Sequence, residues 1–257
     1  MQLVQGLTVK KIVCWFSCGA TSAVATKIAI NRYGKDNIRI VYFDISTAHT
    51  DNERFIKDCE KWFDVKIERI KSKKYNSQFD VIEKTKYVNG AKGARCTLEL
   101  KRLVRKEWEK NNTWSKQIFG FEFSPKEIDR ANRLTRDHPH TLATFPLIEN
   151  KVNKIEALVV LERANIKLPQ MYLMGYPNNN CIGCVKGGIG YWNKIRIDFP
   201  NTFEKMAKAE RVANRTCLKE HDGTRIFLDE LDPKRGRELK ILIPNCGFFC
   251  GDVEEYI

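Results

Sequence analysis

Runs of apolar residues alternate with helix-spaced apolar residues along the first half of the chain. Two predicted helices, over residues 22–33 and 51–63, carry apolar side chains at helical spacing, and Asp51 and Asn52 stand where a cap for the second would lie. This alternation predicts an α/β fold with a doubly wound, mostly parallel sheet. Four strands are expected, at residues 11–16, 38–43, 65–70 and 116–120.

The pattern changes after residue 145. A helix is predicted over residues 154–164, followed by a connection rich in Pro and Asn over 169–180 and then by loops that carry cysteines. We therefore expect two regions: an α/β domain over residues 1–150, and a helical, cysteine-rich region over residues 151–257 that packs on the same core.

Small and hydroxyl-bearing residues connect the first predicted strand to the first predicted helix. They are Ser17, Cys18, Gly19, Ala20, Thr21 and Ser22, hereafter the 17–22 turn. Backbone N–H groups at a helix N-terminus carry partial positive charge and bind phosphate where side chains are small. The turn lacks the lysine and the spacing of a P-loop, and it has one Gly where the dinucleotide fingerprint has three. It is a candidate phosphate site, and the alternative is a plain βα connection with capping hydroxyls.

Length and composition predict a folded, soluble protein. The 257 residues, 42% of them hydrophobic, suffice for a full core. The apolar runs are shorter than the roughly 18 residues of a membrane span, and residues 1–9 do not resemble a signal peptide. We therefore expect a cytoplasmic protein without membrane association.

Positive charge is concentrated in one segment. The formal net charge is +13, and residues 66–106, hereafter the basic belt, hold 13 basic and four acidic residues. Such a density favours a polyanionic partner, either a multiply phosphorylated nucleotide or DNA or RNA, and a solvated basic face is the alternative.

Nine cysteines without a secretion signal indicate thiols, metal ligands or redox groups rather than a disulfide framework. Two close pairs, Cys181 with Cys184 and Cys246 with Cys250, can supply four thiolates to Zn²⁺ or an iron–sulfur cluster, and a redox-active dithiol is the competing interpretation. The isolated cysteines are expected to be small buried hydrophobic residues: Cys14, Cys59 and Cys217.

Cys96 differs from the other cysteines because it lies in the basic belt. Arg95, Lys101 and Arg102 are expected to lower its pKa and favour the thiolate. It is therefore a candidate nucleophile or metal ligand, and a structural cysteine at a helix start is the alternative.

Short motifs follow one another in a recognisable order. The 17–22 turn is followed by Val41-Tyr42-Phe43-Asp44 and by Cys96-Thr97 with Leu100-Lys101-Arg102. The later motifs are Phe119-Gly120 with Glu127 and Arg130-Ala131, Phe145-Pro146-Leu147-Ile148, Met171-Tyr172 with Gly175-Tyr176, and Cys181-Ile182-Gly183-Cys184. Together they resemble the phosphoadenosine phosphosulfate (PAPS) reductase family of the adenine nucleotide α-hydrolase-like superfamily, which also contains the N-type ATP pyrophosphatases. The resemblance implies that superfamily's doubly wound sheet with a small C-terminal Cys-rich metal-binding unit.

Some positions depart from the family pattern. Cys18 replaces the second Gly of the family's Ser-Gly-Gly-x-x-Ser loop, and Thr21 stands where ATP pyrophosphatases carry Asp. Near the C-terminus, Asn245 and Cys250 replace the Glu and His of a Glu-Cys-Gly-Leu-His-Gly tail. These departures weaken the case for cation-assisted ATP cleavage and for a catalytic thiol at Cys246.

The resemblance implies an enzyme that binds an adenine nucleotide, ATP or PAPS, with the 17–22 turn on its phosphates. Asp44, Arg102 and Gly120 are implied to complete the nucleotide site. The implied catalytic residues are Cys96, Cys246, Lys101 and Arg130. The implied ligands of a [4Fe-4S] cluster or Zn²⁺ are Cys181, Cys184, Cys246 and Cys250, and Mg²⁺ is a further candidate cofactor.

Three activities are compatible with these motifs. In the first, the Cys246 thiolate attacks the sulfate of PAPS and releases sulfite, while Lys101, Arg102 and Arg130 neutralise the leaving phosphate. In the second, ATP activates a base of DNA or RNA with release of pyrophosphate and AMP, which the basic belt favours because a mononucleotide contacts few cations. In the third, the chain is a non-catalytic nucleotide or nucleic-acid binding module. A homodimer is a further expectation.

Overall fold

Five strands pair side by side into one parallel sheet. The computed structural model describes residues 10–90 and 93–239, and the strands within them run in the order β3-β2-β1-β4-β5. Their bounds are β1 Ile12–Phe16, β2 Ile38–Phe43, β3 Ile67–Ile70, β4 Lys116–Phe119 and β5 Ala143–Thr144. The four predicted strands are confirmed, and β5 was missed because two residues carry no periodic signal.

Helices occupy most of the remaining described chain. They are α1 Ala20–Tyr33, α2 Asn52–Phe63, α3 Gln78–Thr85, α4 Arg95–Thr97, α5 Leu103–Lys110, α6 Pro125–Asp137, α7 Pro146–Glu149, α8 Lys154–Arg163, α9 Gln170–Leu173, α10 Ile189–Asp198 and α11 Pro200–Ala213. A π-helical turn, Leu98–Arg102, joins α4 to α5, and a short antiparallel pair, β6 Leu218–Lys219 with β7 Arg225–Ile226, follows α11.

The predicted helices over 22–33, 51–63 and 154–164 are confirmed to within two residues. The cap of α2 is not formed as expected. The carboxylate of Asp51 accepts hydrogen bonds from the Arg54 side chain and from the backbone N–H of Gln170 at 2.8 Å, so it ties α2 to α9 instead of capping its own helix.

The central strand β1 is buried on both faces. Its alternate residues Cys14 and Phe16 pack with α1, α2 and α8, whereas Val13 and Trp15 pack on the opposite face, where Trp108 of α5 lies. A strand covered on both sides reads as an unbroken apolar run, which is why residues 12–16 show no polar alternation. The sheet therefore has helices on both faces.

A second hydrophobic core lies beside the sheet. It joins Phe79 and Ile82 of α3 to Trp192, Phe203 and Met206 of α10 and α11. Helix α8, which follows residue 150, packs in the core of the sheet through Leu158, whose exposure is 0%. Chain segments from both sides of residue 150 thus contribute to each core.

Two of the isolated cysteines, Cys14 and Cys59, are fully buried in the core of the sheet, as predicted. Cys217 is half-buried and packs against the second core. None of the helices formed by residues 10–90 and 93–239 combines the length and the apolar character that a transmembrane segment requires.

Candidate functional site

The order of the strands reverses at β1. Strand β2 pairs with one edge of β1 and β4 with the other, so the crevice beyond their carboxyl ends is a topological switch point, where open α/β sheets bind ligands. β1 ends at Phe16, directly before the 17–22 turn, and β4 ends at Phe119, directly before Gly120. The switch point therefore brings two predicted elements of the nucleotide site together.

Gly120 packs against the first turn of α1 at backbone contact. A Cβ atom at this position would lie 2.5 Å from the Cα and 2.7 Å from the backbone nitrogen of Ser22. A side chain there would displace the helix start. The absence of a side chain at Gly120 thus lets β4 support the 17–22 turn.

The hydroxyl of Ser22 organises the turn. It accepts hydrogen bonds from the backbone N–H groups of Ser17 at 3.1 Å and Gly19 at 3.3 Å, and it donates to the Gly19 carbonyl at 2.9 Å. The Ser17 hydroxyl lies 3.0 Å from the same oxygen. The turn is therefore closed by its own side chains at the N-terminus of a 14-residue helix.

Cys18 has the left-handed backbone conformation that glycine adopts most readily. Its φ is +61°, in the left-handed region that costs an L-residue about 1 kcal/mol. The side chain is fully buried, and burial raises the pKa of its thiol well above the usual range. The turn therefore contains a non-glycine residue in the left-handed region directly before Gly19.

Two residues from distant segments hold the turn from its other side. The hydroxyl of Tyr172 in α9 accepts a hydrogen bond from the backbone N–H of Ala20 at 3.4 Å. The amide nitrogen of Asn179 donates to the Cys18 carbonyl at 2.5 Å and to the side-chain oxygen of Asn52 at 2.8 Å. The Asn179 side-chain oxygen is buried without a hydrogen-bond partner among the described residues. In the sequence, the only feature that points to Asn179 as a site residue is its position in a run of asparagines.

A cation that the sequence did not single out lies close to the turn. Lys154 Nζ donates to the Pro177 carbonyl and to the side-chain oxygen of Asn178 at 2.6 Å, and it lies 5.8 Å from the ring centroid of Tyr172. Burial lowers the pKa of Lys154 and raises that of Glu122, which follows β4. The half-buried ammonium group of Lys154 therefore lies beside the ring of Tyr172, whose hydroxyl contacts the 17–22 turn.

The other predicted binding residues are distributed around this edge of the sheet. Asp44 is exposed just beyond β2 and donates its backbone N–H to the Ile70 carbonyl at 2.8 Å. The guanidinium of Arg130 lies 4.1 Å from the ring centroid of Phe121 and pairs with Glu127 at 3.0 Å. Lys101 and Arg102 lie on the π-helical turn. The charge of Lys101 acts on the thiol of Cys184, so this lysine faces the cysteines.

The loop that carries Cys181 and Cys184 is pinned by backbone hydrogen bonds. Ile182 donates its N–H to the Thr47 carbonyl at 2.9 Å, and its carbonyl accepts from the Gln78 side chain at 2.8 Å. Gly183 supplies the positive φ of +74° that lets the loop turn back on itself. Both thiols are half-buried, and neither forms a disulfide with another described cysteine.

The expected lowering of the Cys96 pKa by neighbouring cations is wrong. Burial raises its pKa to about 11, and negative charge at Cys184 and Cys181 acts in the same direction. Arg95 offers little compensation because it pairs with Glu99 at 2.7 Å. The interaction nevertheless places Cys96 in the same neighbourhood as the Cys181/Cys184 loop.

The predicted metal centre is not formed by the described residues alone. Among residues 10–90 and 93–239, no group of three or more His, Cys, Asp or Glu residues is arranged to hold a metal ion. Two predicted ligands, Cys246 and Cys250, lie outside the described residues, and Cys246 as a predicted nucleophile lies there too. Cys96, Cys181 and Cys184 are free cysteines, and the thiolate form of cysteine is the donor that Zn²⁺ and iron–sulfur clusters take.

Comparison with known proteins shows a distant similarity. No family model matches the chain. The chain is similar to an uncharacterized protein of Methanocaldococcus jannaschii, with 24% identity over 217 residues that cover 79% of this chain and 42% of the relative. The chain thus spans less than half the length of that relative.

Proposed function

We propose that this protein is an enzyme that binds an adenine nucleotide at the 17–22 turn and acts on the group attached to its α-phosphate. The observation that carries the proposal is the backbone contact between Gly120 and Ser22 at the switch point of the sheet. It places a closed, small-residue helix start where doubly wound folds bind nucleotides. We also propose that the fold belongs to the doubly wound, adenine nucleotide α-hydrolase-like class, which the order of the motifs and the parallel sheet support.

In this proposal the phosphates lie over the N-terminus of α1. The first backbone N–H groups of a helix have no partner within the helix and attract anions. Lys154 and Arg130 supply positive charge on the sides formed by α8 and α6, and Ser17 offers an exposed hydroxyl. Asp44, at the end of the neighbouring strand, is the acidic group on the adenosine side.

The thiols lie next to this nucleotide site and supply its reactive sulfur or its metal ligands. Cys181 and Cys184, with Cys96 and the pair Cys246 and Cys250, would hold Zn²⁺ or a [4Fe-4S] cluster together with the C-terminal segment. Such a centre would contribute structural stability in the case of zinc and electron transfer in the case of a cluster. Lys101 faces Cys184, so it is positioned to balance negative charge between the thiols and a bound nucleotide.

The decisive experiment is calorimetric titration of anaerobically purified full-length protein with ATP, PAPS and GTP. We expect ATP or PAPS to bind and GTP to bind at least about 10-fold more weakly. Release of sulfite from PAPS assigns sulfonucleotide reduction, and release of pyrophosphate from ATP assigns adenylyl transfer. Absence of binding by both adenine nucleotides contradicts the proposal.

A further inference from the structure

Many cations of the basic belt are left without an acidic partner by the fold. Five form ion pairs, at Lys66, Arg69, Lys84, Arg95 and Arg105. The described remainder of the belt, which lacks residues 91 and 92, has seven cations outside any ion pair: Lys71, Lys73, Lys74, Lys86, Lys101, Arg102 and Lys106. We call these the unpaired cations. Lys101 is half-buried and the other six are exposed, so their charge is directed to solvent.

Packing brings most of these residues onto one side of the molecule. Tyr75, which directly follows Lys74, is buried in a small cluster with Leu100 of the π-helical turn. The connection between β3 and α3 therefore lies beside the turn that carries Lys101 and Arg102. Lys73 is close enough to Glu107 in α5 for their charges to interact, which extends the same surface to Lys106 on that helix.

The unpaired cations are more numerous and more widely spread than the phosphates of a single nucleotide can contact. A mononucleotide places its few phosphate charges at one point, whereas a nucleic-acid duplex presents one negative charge per roughly 1.7 Å of helix axis. Cations spread over the β3–α3 connection, the π-helical turn and α5 match an extended row of phosphates.

The burial of the aromatic residues in the belt favours a duplex over a single strand as the ligand. Proteins that grip single strands stack bases on exposed aromatic rings. Tyr75 and Phe79 are 4% and 7% exposed, and Tyr87 is half-buried, so the described part of the belt offers no open stacking platform. Contacts to phosphate alone suit a duplex backbone.

We infer that the unpaired cations bind the phosphate backbone of double-stranded nucleic acid. Binding is independent of base sequence, because lysines on this surface can contact phosphate without reading base edges. The inference does not depend on the proposed nucleotide chemistry, since Lys71, Lys73 and Lys74, which the test replaces, are not among the residues proposed for the nucleotide site. Nucleotide binding is measured by calorimetry and duplex binding by fluorescence anisotropy.

The test compares two triple variants of the full-length chain with equal loss of charge. One variant carries Lys71→Gln, Lys73→Gln and Lys74→Gln. The matched control carries Lys57→Gln, Lys61→Gln and Lys167→Gln, three exposed lysines that are not among the unpaired cations. Fluorescence anisotropy with a labelled 20-base-pair duplex gives the dissociation constant over about 50–200 mM salt.

We expect the belt variant to lose affinity at least about 10-fold and the magnitude of its salt slope to fall by about 0.9 for each lost phosphate contact. The control variant is expected to stay within about 2-fold of the unmodified chain. Equal losses in both variants contradict the inference, because net charge alone would then explain binding. Tighter binding to a single strand or to heparin than to the duplex also overturns it, as does absence of duplex binding.

All six substituted lysines are exposed, so the variants are expected to fold, and their melting temperatures check this. A further triple variant, with Lys71→Arg, Lys73→Arg and Lys74→Arg, keeps the charge. It should retain duplex affinity, and loss of affinity in this variant would also count against the inference.

Discussion

Single residues decide how the 17–22 turn is charged and shaped. Lys154 is the clearest example, because its ammonium group is held by the Pro177 carbonyl and Asn178 next to the Tyr172 ring. In the sequence it is only the first residue of a predicted helix. Lysine is usually a surface residue, but in this fold Lys154 is half-buried near the candidate phosphate site.

We predict that Lys154→Met weakens binding of ATP or PAPS by about 10-fold, or roughly 1.4 kcal/mol, because one charge on the phosphates is removed. Adenosine, which lacks phosphate, should bind equally well to both proteins. Calorimetry measures both effects. Lys151→Met is the control, since Lys151 is exposed three positions earlier and its loss should change neither affinity. An unchanged ATP affinity in Lys154→Met would exclude this lysine from the site.

His138 at the end of α6 is predicted to make stability depend on pH. Burial lowers its pKa below 6.5, and the positive charges of Arg105 and His140 add to the effect. Between the lowered pKa and 6.5 the unfolded chain binds more protons than the folded one, so stability falls as the solution is acidified through this window.

His138→Gln should therefore flatten the decrease in the free energy of unfolding between about pH 7 and pH 5. Urea titrations at several pH values measure this. His221→Gln, at an exposed position, serves as the control and should leave the slope unchanged. A steeper decrease in the His138 variant would contradict the assignment.

At the scale of elements, the contact between β4 and α1 sets the site. We predict that Gly120→Ala reduces nucleotide affinity at least about 10-fold and stability by about 1–3 kcal/mol, because a Cβ would collide with the Ser22 backbone. Gly188→Ala is the matched control, since a Cβ there meets nothing within 4 Å. Calorimetry and urea unfolding of both variants test this pair. Full nucleotide affinity in Gly120→Ala would place the ligand away from the turn.

The bounds of the strands and the helix around the 17–22 turn were predicted well from the sequence. Local periodicity located β1, α1 and β2 because their apolar residues repeat along the chain itself. The π-helical turn at Leu98–Arg102 was not anticipated, and nothing in its periodicity marks it. Its wide turn places Lys101 and Arg102 between α4 and α5.

At the scale of the whole molecule, helix α8 links the chain after residue 150 to the sheet. Leu158 is fully buried in the same core as β1. We predict that Leu158→Ala lowers the free energy of unfolding by about 2–5 kcal/mol through the cavity that it leaves. Urea unfolding measures the change. Ile155→Ala on the same helix, where the side chain is 38% exposed, should cost less than about 1 kcal/mol. Similar effects of the two substitutions would show that α8 is not part of the core of the sheet.

Apolar periodicity and small-residue turns were enough to predict the parallel sheet, its first helices and the 17–22 turn, because each depends on neighbours in the chain. Tertiary structure alone brought Lys154, Tyr172 and Asn179 to that turn from more than a hundred residues away. It also reversed the expected direction of the Cys96 pKa shift, since a pKa depends on burial and on charges that spacing along the chain does not reveal. Long-range packing, with the desolvation it imposes, is the physical reason for both differences.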